Sequence, residues 1–436
     1  MIRAVVFDMF ETLVTLFEGR TYFSEDIAAD TGLDLQEFRR EWHANEKDRT
    51  QGRMTIEEGL AAAFRNLNVY SEELVQRIAK KRRDALGDTF SAIPEETFRL
   101  LRELKQRGIR IGLITNTFSD ERKFIRESAM NPLFDVALIS YEQGMSKPDP
   151  AMYEKMIREL NVLPQECLFV GDGGSKELFA ARDAGMQTLQ CNWFRPLAFE
   201  PHIPCPVYEG FPQAATREDV LNYLAVNARE HSLEYWDAAH KNYERATIKT
   251  DDWLERFDDI LTATSLPILD LGCGSGNDTL YLVNKGKEVI SCDQSANAIQ
   301  NIIKNFPEVK ETRCFNFLDG FPFPDASFEV IIADLCLHYF REDDTRFIIS
   351  EIRRILKPGG HLIFRVNTIH DVQHGAGQGR EVEHHVFETP SYTIKRFFDE
   401  DDVRAFFSDF EIEYLNEEIM TRYNTEKRLF RVCVRK

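Results

Sequence analysis

This 436-residue chain has no C-x-x-C pair among its eight cysteines, which stand apart at 167, 191, 205, 273, 292, 314, 336 and 433. The scatter argues against structural zinc, and thiols lying in apolar strands fit a reducing cytoplasm. The opening run Met1–Asp8 reads as a short strand, far too brief for a signal peptide or a membrane span. Positive charge is scarce: 54 Lys and Arg against 73 Asp and Glu leave a net charge of -19. A surface that acidic repels phosphate backbones and anionic lipid, so nucleic acid and membrane are not expected partners and a small molecule is. No segment is low-complexity.

What is present is globular. Hydrophobic residues make up 43% of the chain, enough for sizeable cores, and the length suits about two to three domains. Two α/β patterns sit in tandem, neither a repeat of the other. The first predicts strands at 3–7, 110–115, 136–139 and 167–171, with the last ending at Val170-Gly171. Phe17 to Thr89 interrupts it with apolar residues at helical spacing, a helical insert. Five prolines between Trp193 and Gln213 mark an irregular end, then a short helix over 217–224 and a linker at 226–232. The second pattern opens with a helical lead-in, Leu233 to Leu261. Its strands are expected at 267–271, 288–292, 312–316, 328–334, 361–366, 410–415 and 428–434.

The most informative run is Ile268-Leu269-Asp270-Leu271-Gly272-Cys273-Gly274-Ser275-Gly276. An apolar strand enters a glycine-rich turn and a helix-like segment follows, Asp278 to Asn284. A second strand ends at Asp293, nineteen residues after Gly274. That layout makes a nucleoside site: bare backbone approaches the ligand and the acid takes the ribose hydroxyls. A dinucleotide site would read G-x-G-x-x-G, whereas here the glycines alternate.

This form resembles motif I of the class I S-adenosylmethionine-dependent methyltransferases. Phe321-Pro322-Phe323-Pro324-Asp325-Ala326-Ser327-Phe328-Glu329 is similar to that family's PFPDxSFD loop, and Leu356-Lys357-Pro358-Gly359-Gly360 to its LKPGG turn. The resemblance implies that Asp270, Gly272, Gly274 and Gly276 cradle the methionine end of S-adenosylmethionine and that Asp293 accepts both ribose hydroxyls. Asn316-Phe317 would meet adenine, with Asn316 standing where the family usually has an acid. Asp334 ends the fourth strand at the cofactor, and His338 beyond it reads as a general base, an acceptor contact or a loop-orienting residue. Gly375 to His385 suits a substrate lid. His384 and His385 are expected to alternate sides, which argues against their sharing a metal. Tyr235, Trp236 and Tyr243 resemble the aromatic lid of small-molecule methyltransferases, or are core aromatics. No Asn-Pro-Pro-aromatic motif follows the fourth strand, which argues against a nucleic-acid amino-methylase.

Four segments in the first pattern resemble the haloacid-dehalogenase-like hydrolases in their order. Asp8 ends the first strand, Thr115 ends the second, Lys147-Pro148 sits in a loop, and Asp172 precedes Gly173, Gly174 and Glu177. The helical insert resembles that superfamily's cap. The resemblance implies Asp8 as nucleophile, Thr115 and Lys147 holding the transferring group, and Mg²⁺ bound by Asp8, the Phe10 carbonyl, Asp172 and Glu177. Phosphatases of the superfamily carry an acid two residues after the nucleophile. Here Phe10 stands there and cannot transfer a proton. Three readings follow: slow or unusual phosphatase-type hydrolysis, another hydrolysis, or a non-catalytic domain.

The expected fold class is α/β, two tandem Rossmann-like doubly wound domains. Residues 1–225 form a hydrolase domain with a cap at about 17–89, and 233–436 form a methyltransferase domain. The expected function is methyl transfer to a small-molecule acceptor fused to Mg²⁺-dependent hydrolysis, or methyl transfer beside a regulatory hydrolase-like domain.

Overall fold

The computed structural model describes residues 1–202, 204–241, 244–389, 393–422 and 425–436, and the chain divides into two compact units, Met1–Ala228 and Arg229–Lys436. The first begins with β1 (Ala4–Phe7), whose four side chains are all buried. A cap of five helices follows: α1 (Ser24–Thr31), α2 (Leu35–Ala44), α3 (Glu46–Thr50), α4 (Ile56–Asn66) and α5 (Glu72–Ser91). Asp34, Thr55 and Ser71 cap three of them by accepting from first-turn N–H groups. Phe38, Trp42, Leu60, Phe64 and Ile78 fill the cap's own core. The sheet then resumes in alternation with helices: α6 (Glu95–Gln106), β2 (Arg110–Thr115), α7 (Ser119–Glu127), β3 (Val136–Ile139), α8 (Ser140–Gln143), α9 (Pro150–Leu160), β4 (Cys167–Gly171), α10 (Glu177–Asp183), β5 (Gln187–Cys191) and β6 (Gln213–Ala214). The strand order is β3-β2-β1-β4-β5-β6, with every pairing parallel. Strands covered on both faces read as unbroken apolar runs, as β1 and β4 do. The order reverses direction between β1 and β4, so a crevice opens at their carboxyl ends.

Two expectations fail here. Two strands follow Val170-Gly171, which was read as the end of the last strand; β5 escapes periodicity because Gln187 and Gln190 break its apolar run. The two units divide after Ala228, inside the 226–232 stretch expected as a linker, but that stretch is helical rather than irregular, part of α11 (Glu218–Ala239). Neither glycine nor proline occurs in that segment, and its alanines, leucines and glutamates favour helix throughout.

The second unit carries α12 (Asp258–Ala263), β7 (Ile268–Leu271), α13 (Asn277–Asn284), β8 (Val289–Asp293), α14 (Ala296–Asn305), β9 (Glu311–Cys314), β10 (Phe328–Asp334), α15 (Glu342–Ile355) and β11 (Leu356–Asn367). Then come a small antiparallel sheet of β12 (Glu381–Glu383), β13 (Val386–Glu388) and β14 (Ile394–Arg396), the helix α16 (Glu400–Phe406), and the hairpin β15 (Glu411–Met420) and β16 (Lys427–Arg435). The large sheet has the order β15-β16-β11-β10-β7-β8-β9, with β16 antiparallel to β11. Its reversal falls between β7 and β10, so the glycine turn after β7 opens into the crevice. No helix among the described residues is long and apolar enough to cross a membrane.

Candidate active sites

In the first unit, strand ends bring together residues far apart in sequence. Asp8 follows β1, and Lys147 comes from the loop between α8 and α9. Lys147 Nζ lies 2.5 Å from Asp8 Oδ1 and 2.5 Å from Glu177 Oε2. Carboxylate oxygens of Asp8, Asp172 and Glu177 all lie within 4.8 Å of one another. Thr115 is fully buried at the end of β2, beside β1. Asn116, beside Thr115 and given no role by the sequence, clamps the lysine loop: its Oδ1 accepts from the Lys147 amide at 2.8 Å and its Nδ2 donates to the Lys147 carbonyl at 3.1 Å. Gly171 is bare because a Cβ there would stand 2.1 Å from Glu177 Oε1. Gly173 N–H donates to that same oxygen, and Gly174 N–H donates to Asp172.

Electrostatics follow from this crowding. Burial, then the Asp8 charge, pushes Glu177 well above the usual carboxylate range and raises Asp172 as well. Burial alone would lower the Lys147 pKa, but Asp8 and Glu177 outweigh it and hold the ammonium charged. Carboxyl oxygens of Asp8, Asp172 and Glu177 crowd one ammonium, a donor set that suits a hard divalent cation such as Mg²⁺. Phe10 turns its ring edge-on to Phe90 at the end of α5, with centroids 6.4 Å apart.

In the second unit a cavity of about 190 Å³ opens at the glycine turn. Gly272, Gly274, Asp293, Phe317 and Asp334 line it. A Cβ on Gly272, at φ +73, would stand 2.5 Å from the Cys336 Cβ; one on Gly276 would stand 2.6 Å from the Phe306 ring. Both positions therefore require glycine. Asp293 is pinned by backbone donors: Gly274 N–H to Oδ2 and Ser295 N–H to Oδ1, each at 2.9 Å.

Three expected cofactor residues stand behind the wall rather than in it. Asp270 is buried beneath the turn, where it accepts from Thr279 Oγ1 at 2.5 Å. Its pKa rises to about 7, first through burial and then through Asp334 and Asp293. Gly276 packs against α14. Asn316 caps a short turn, its Oδ1 accepting from Leu318 N–H and its Nδ2 donating to Gln294 Oε1. Gln294, missed in the sequence, lines the cavity in its place.

Asp334 belongs to a buried ionic network that spacing could not reveal. Arg365 grips it two-pronged at 2.7 and 2.8 Å, and Arg422 Nη1 reaches it at 2.9 Å. Asp251 joins both arginines from the other side. Burial alone would raise the Asp334 pKa, yet the two guanidinium groups hold it down to about 2.

His338 departs furthest from expectation. It is fully buried and does not line the cavity, and neither ring nitrogen has a hydrogen-bond partner. Burial, then Lys427 and Lys395, lowers its pKa well below the ordinary value, so the ring is neutral. His384 and His385 do not alternate either. His385 has a φ of +57, which turns the two rings into a stack 3.7 Å apart, and His385 Nδ1 meets Asp402 at 2.8 Å. These three side chains could reach one ion. Trp236 at the end of α11 lines the cavity and packs edge-on against Tyr339, whereas Tyr235 lies outside the cavity, 38% exposed; Tyr243 lies outside the described residues. Asp237 anchors this end of α11 by accepting from Ser295 Oγ and Asn297 N–H.

Comparison with known proteins agrees with this division. Residues 2–185 match the model of the haloacid dehalogenase-like hydrolases, and residues 269–364 match a methyltransferase domain. A phosphatase of Mycobacterium tuberculosis is 31% identical over 192 residues, covering 43% of this chain and 85% of the relative. The tRNA N(3)-cytidine methyltransferase METTL2 of Danio rerio is 27% identical over 177 residues, covering 38% of this chain and 50% of the relative. The chain thus spans about half the length of that methyltransferase relative. A crystal structure of a SAM-dependent methyltransferase from Methanosarcina mazei aligns with a TM-score of 0.34 at 24% identity, covering 39% of this chain and 92% of that one. The chain belongs to the haloacid dehalogenase-like hydrolases through its first unit, and it is a fusion of that hydrolase domain with a methyltransferase domain.

Proposed function

We propose that the second unit transfers a methyl group from S-adenosylmethionine to a small-molecule acceptor, and that the first unit hydrolyses a phosphate ester through Asp8. The observation that carries the first half is the cavity wall, which a bare glycine turn, Asp293, Asp334 and Trp236 line together. Methyl transfer from a sulfonium needs alignment and exclusion of water more than proton transfer. The glycine turn and Asp293 would hold the methionine and ribose ends. Asp334, kept ionised by Arg365 and Arg422, is held rigidly in the cavity wall with Arg422 beside it, its charge balanced by theirs. His338, neutral and walled off, takes no part in moving a proton.

In the first unit the Asp8 carboxylate attacks phosphorus, forming an aspartyl phosphate as the P–O bond to the leaving group breaks. Water then opens that acyl phosphate. Lys147 offsets charge on the phosphoryl oxygens, and Asn116 fixes the lysine loop. Mg²⁺ held by Asp8, Asp172 and the Phe10 carbonyl would neutralise further charge there. Both Glu177 oxygens are engaged by Lys147 and Gly173, which gives Glu177 a positioning role beside the metal.

A second reading of the acceptor rests on the methyltransferase relatives whose names specify tRNA cytidine. Against it stand the acid excess of the whole chain and a cavity of about 190 Å³ lined in part by aromatic side chains. One experiment separates the two. Labelled S-adenosylmethionine is incubated with total tRNA and, separately, with a deproteinised metabolite extract. Label entering a small molecule, and lost in Asp293→Ala, supports the first reading. Label entering tRNA alone establishes the second.

A further inference from the structure

The cavity of the second unit has a cationic side chain that the donor's contacts leave unused. Lys427, at the start of β16, lines the cavity and is 6% exposed. Leu429 pairs with Asn367 in the antiparallel ladder, so Lys427 stands at the carboxyl end of β11, on the ligand side of the sheet. In the strand order β16 lies three strand spacings from β7, about 14 Å, with β11 and β10 between. The glycine turn and Asp293 belong to β7 and β8, so Lys427 serves the opposite part of the cavity.

Among the described residues the Lys427 ammonium has no hydrogen-bond or ion-pair partner. It keeps accessible surface, unlike the His338 ring nitrogens and the Asn367 amide, which are sealed off. The charged groups around it supply no counter-ion. Asp371 Oδ1 is taken by the His374 ring and the Arg428 amide, and Asp334 by Arg365 and Arg422. Lys395 of β14 and Arg365 add like charge, and His338 is neutral. Burial, then Lys395, lowers the Lys427 pKa to about 8 against the pull of Asp371 and Asp334, which leaves the ammonium mostly charged at neutral pH. Arg422, the neighbouring cation in the wall, is engaged by Asp251 and Asp334.

A cation so deeply buried is costly unless an anion meets it. We propose that Lys427 selects the methyl acceptor: the acceptor is a small molecule bearing a carboxylate or another oxyanion, and that group docks on the Lys427 ammonium across the cavity from the glycine turn. This rests on the reading of the second unit as a methyltransferase of small molecules, and it adds the acceptor's charge.

The test uses the full chain. S-adenosylhomocysteine is titrated by calorimetry into the parent and Lys427→Met. A deproteinised metabolite extract is split on an anion exchanger, and each pool is then incubated with labelled S-adenosylmethionine. Label should enter the retained pool, and Lys427→Met should slow that incorporation about tenfold or more, the loss of one charge-assisted hydrogen bond. S-adenosylhomocysteine should bind both proteins with the same affinity. Label taken mainly from the unretained pool, or undiminished incorporation by Lys427→Met, overturns the proposal and leaves the methyltransferase reading standing. Weaker S-adenosylhomocysteine binding by Lys427→Met assigns the ammonium to the donor's own carboxylate and overturns it as well. A parent that binds no S-adenosylhomocysteine, or that labels neither pool, sinks the underlying reading and the proposal with it. Should Lys427→Met fail to fold, Lys427→Gln, also uncharged, takes its place with the same expected results.

Discussion

Two residues past Asp8, Phe10 presents a benzyl ring at the position from which an acid could hand a proton to a departing alkoxide. The ring is packed against Phe90 of the cap helix α5 and has no proton to give. Without a donor at this position the leaving group departs as an anion. Aryl phosphates tolerate that and alkyl phosphates do not, because general acid catalysis contributes about 10²–10⁴ in rate. Wild type should therefore hydrolyse p-nitrophenyl phosphate with kcat/KM at least about 10²-fold above glycerol phosphate, and Phe10→Asp should close most of that gap. Steady-state phosphate release in Mg²⁺ measures both ratios. Losing the Phe10–Phe90 contact costs about 0.5–1.5 kcal/mol, so melting curves should accompany the assay. If wild type already treats the two esters alike, a proton donor other than residue 10 serves the site.

Short elements carry most of what the sequence revealed. The stretch 328–334 is a strand over those residues, and β7, β8 and β16 fall within a residue or so of expectation, because apolar runs bounded by turn residues are local signals. Motif order also marked Asp8, Lys147 and Asp172 as one cluster in the first unit and Asp293 as part of a separate site in the second. Partnerships made across the sheet were not legible. Asp334 with Arg365, Arg422 and Asp251 depends on the register of β10, β11 and the β15–β16 hairpin, and no local spacing encodes it. The burial of His338 had no local signal either, since its chain neighbours resemble those of a loop. Asp270 shows how such placement acts on an element. It sits on β7, with its carboxyl near 7 when folded against an ordinary 3.8. A raised folded-state pKa stabilises while the group is protonated: the contribution is complete below about 4 and is lost as pH rises through about 7. Asp270→Asn removes that titration and keeps an oxygen for Thr279. Urea unfolding at pH 5 through 8 should thus lose less stability in the variant, by an amount on the order of a few kcal/mol. An identical slope in both proteins would falsify this account of β7.

Over the whole molecule, each unit closes its own apolar cores. Those of the first unit are built around β1 and β4 and inside the cap; those of the second are built around β7, β10 and β11. Among the described residues, no buried residue is shared between the two sets. The helix α11 runs through the boundary, with Val220 and Leu224 in a core of the first unit and Trp236 at the cavity of the second. Stability should then be a property of each unit and not of the chain. Scanning calorimetry is expected to resolve two transitions. S-adenosylhomocysteine at about a hundred times its dissociation constant should add about 2.7 kcal/mol to one of them, a rise of roughly 5–10 °C for a unit this size. Mg²⁺ with vanadate, a mimic of the transferring phosphoryl group, should move the other. Asp293→Ala should erase the first shift alone, and Asp172→Ala the second alone. A single transition that both ligands raise together would mean that α11 couples the units into one cooperative body, and the two activities would then have to be treated as thermodynamically linked.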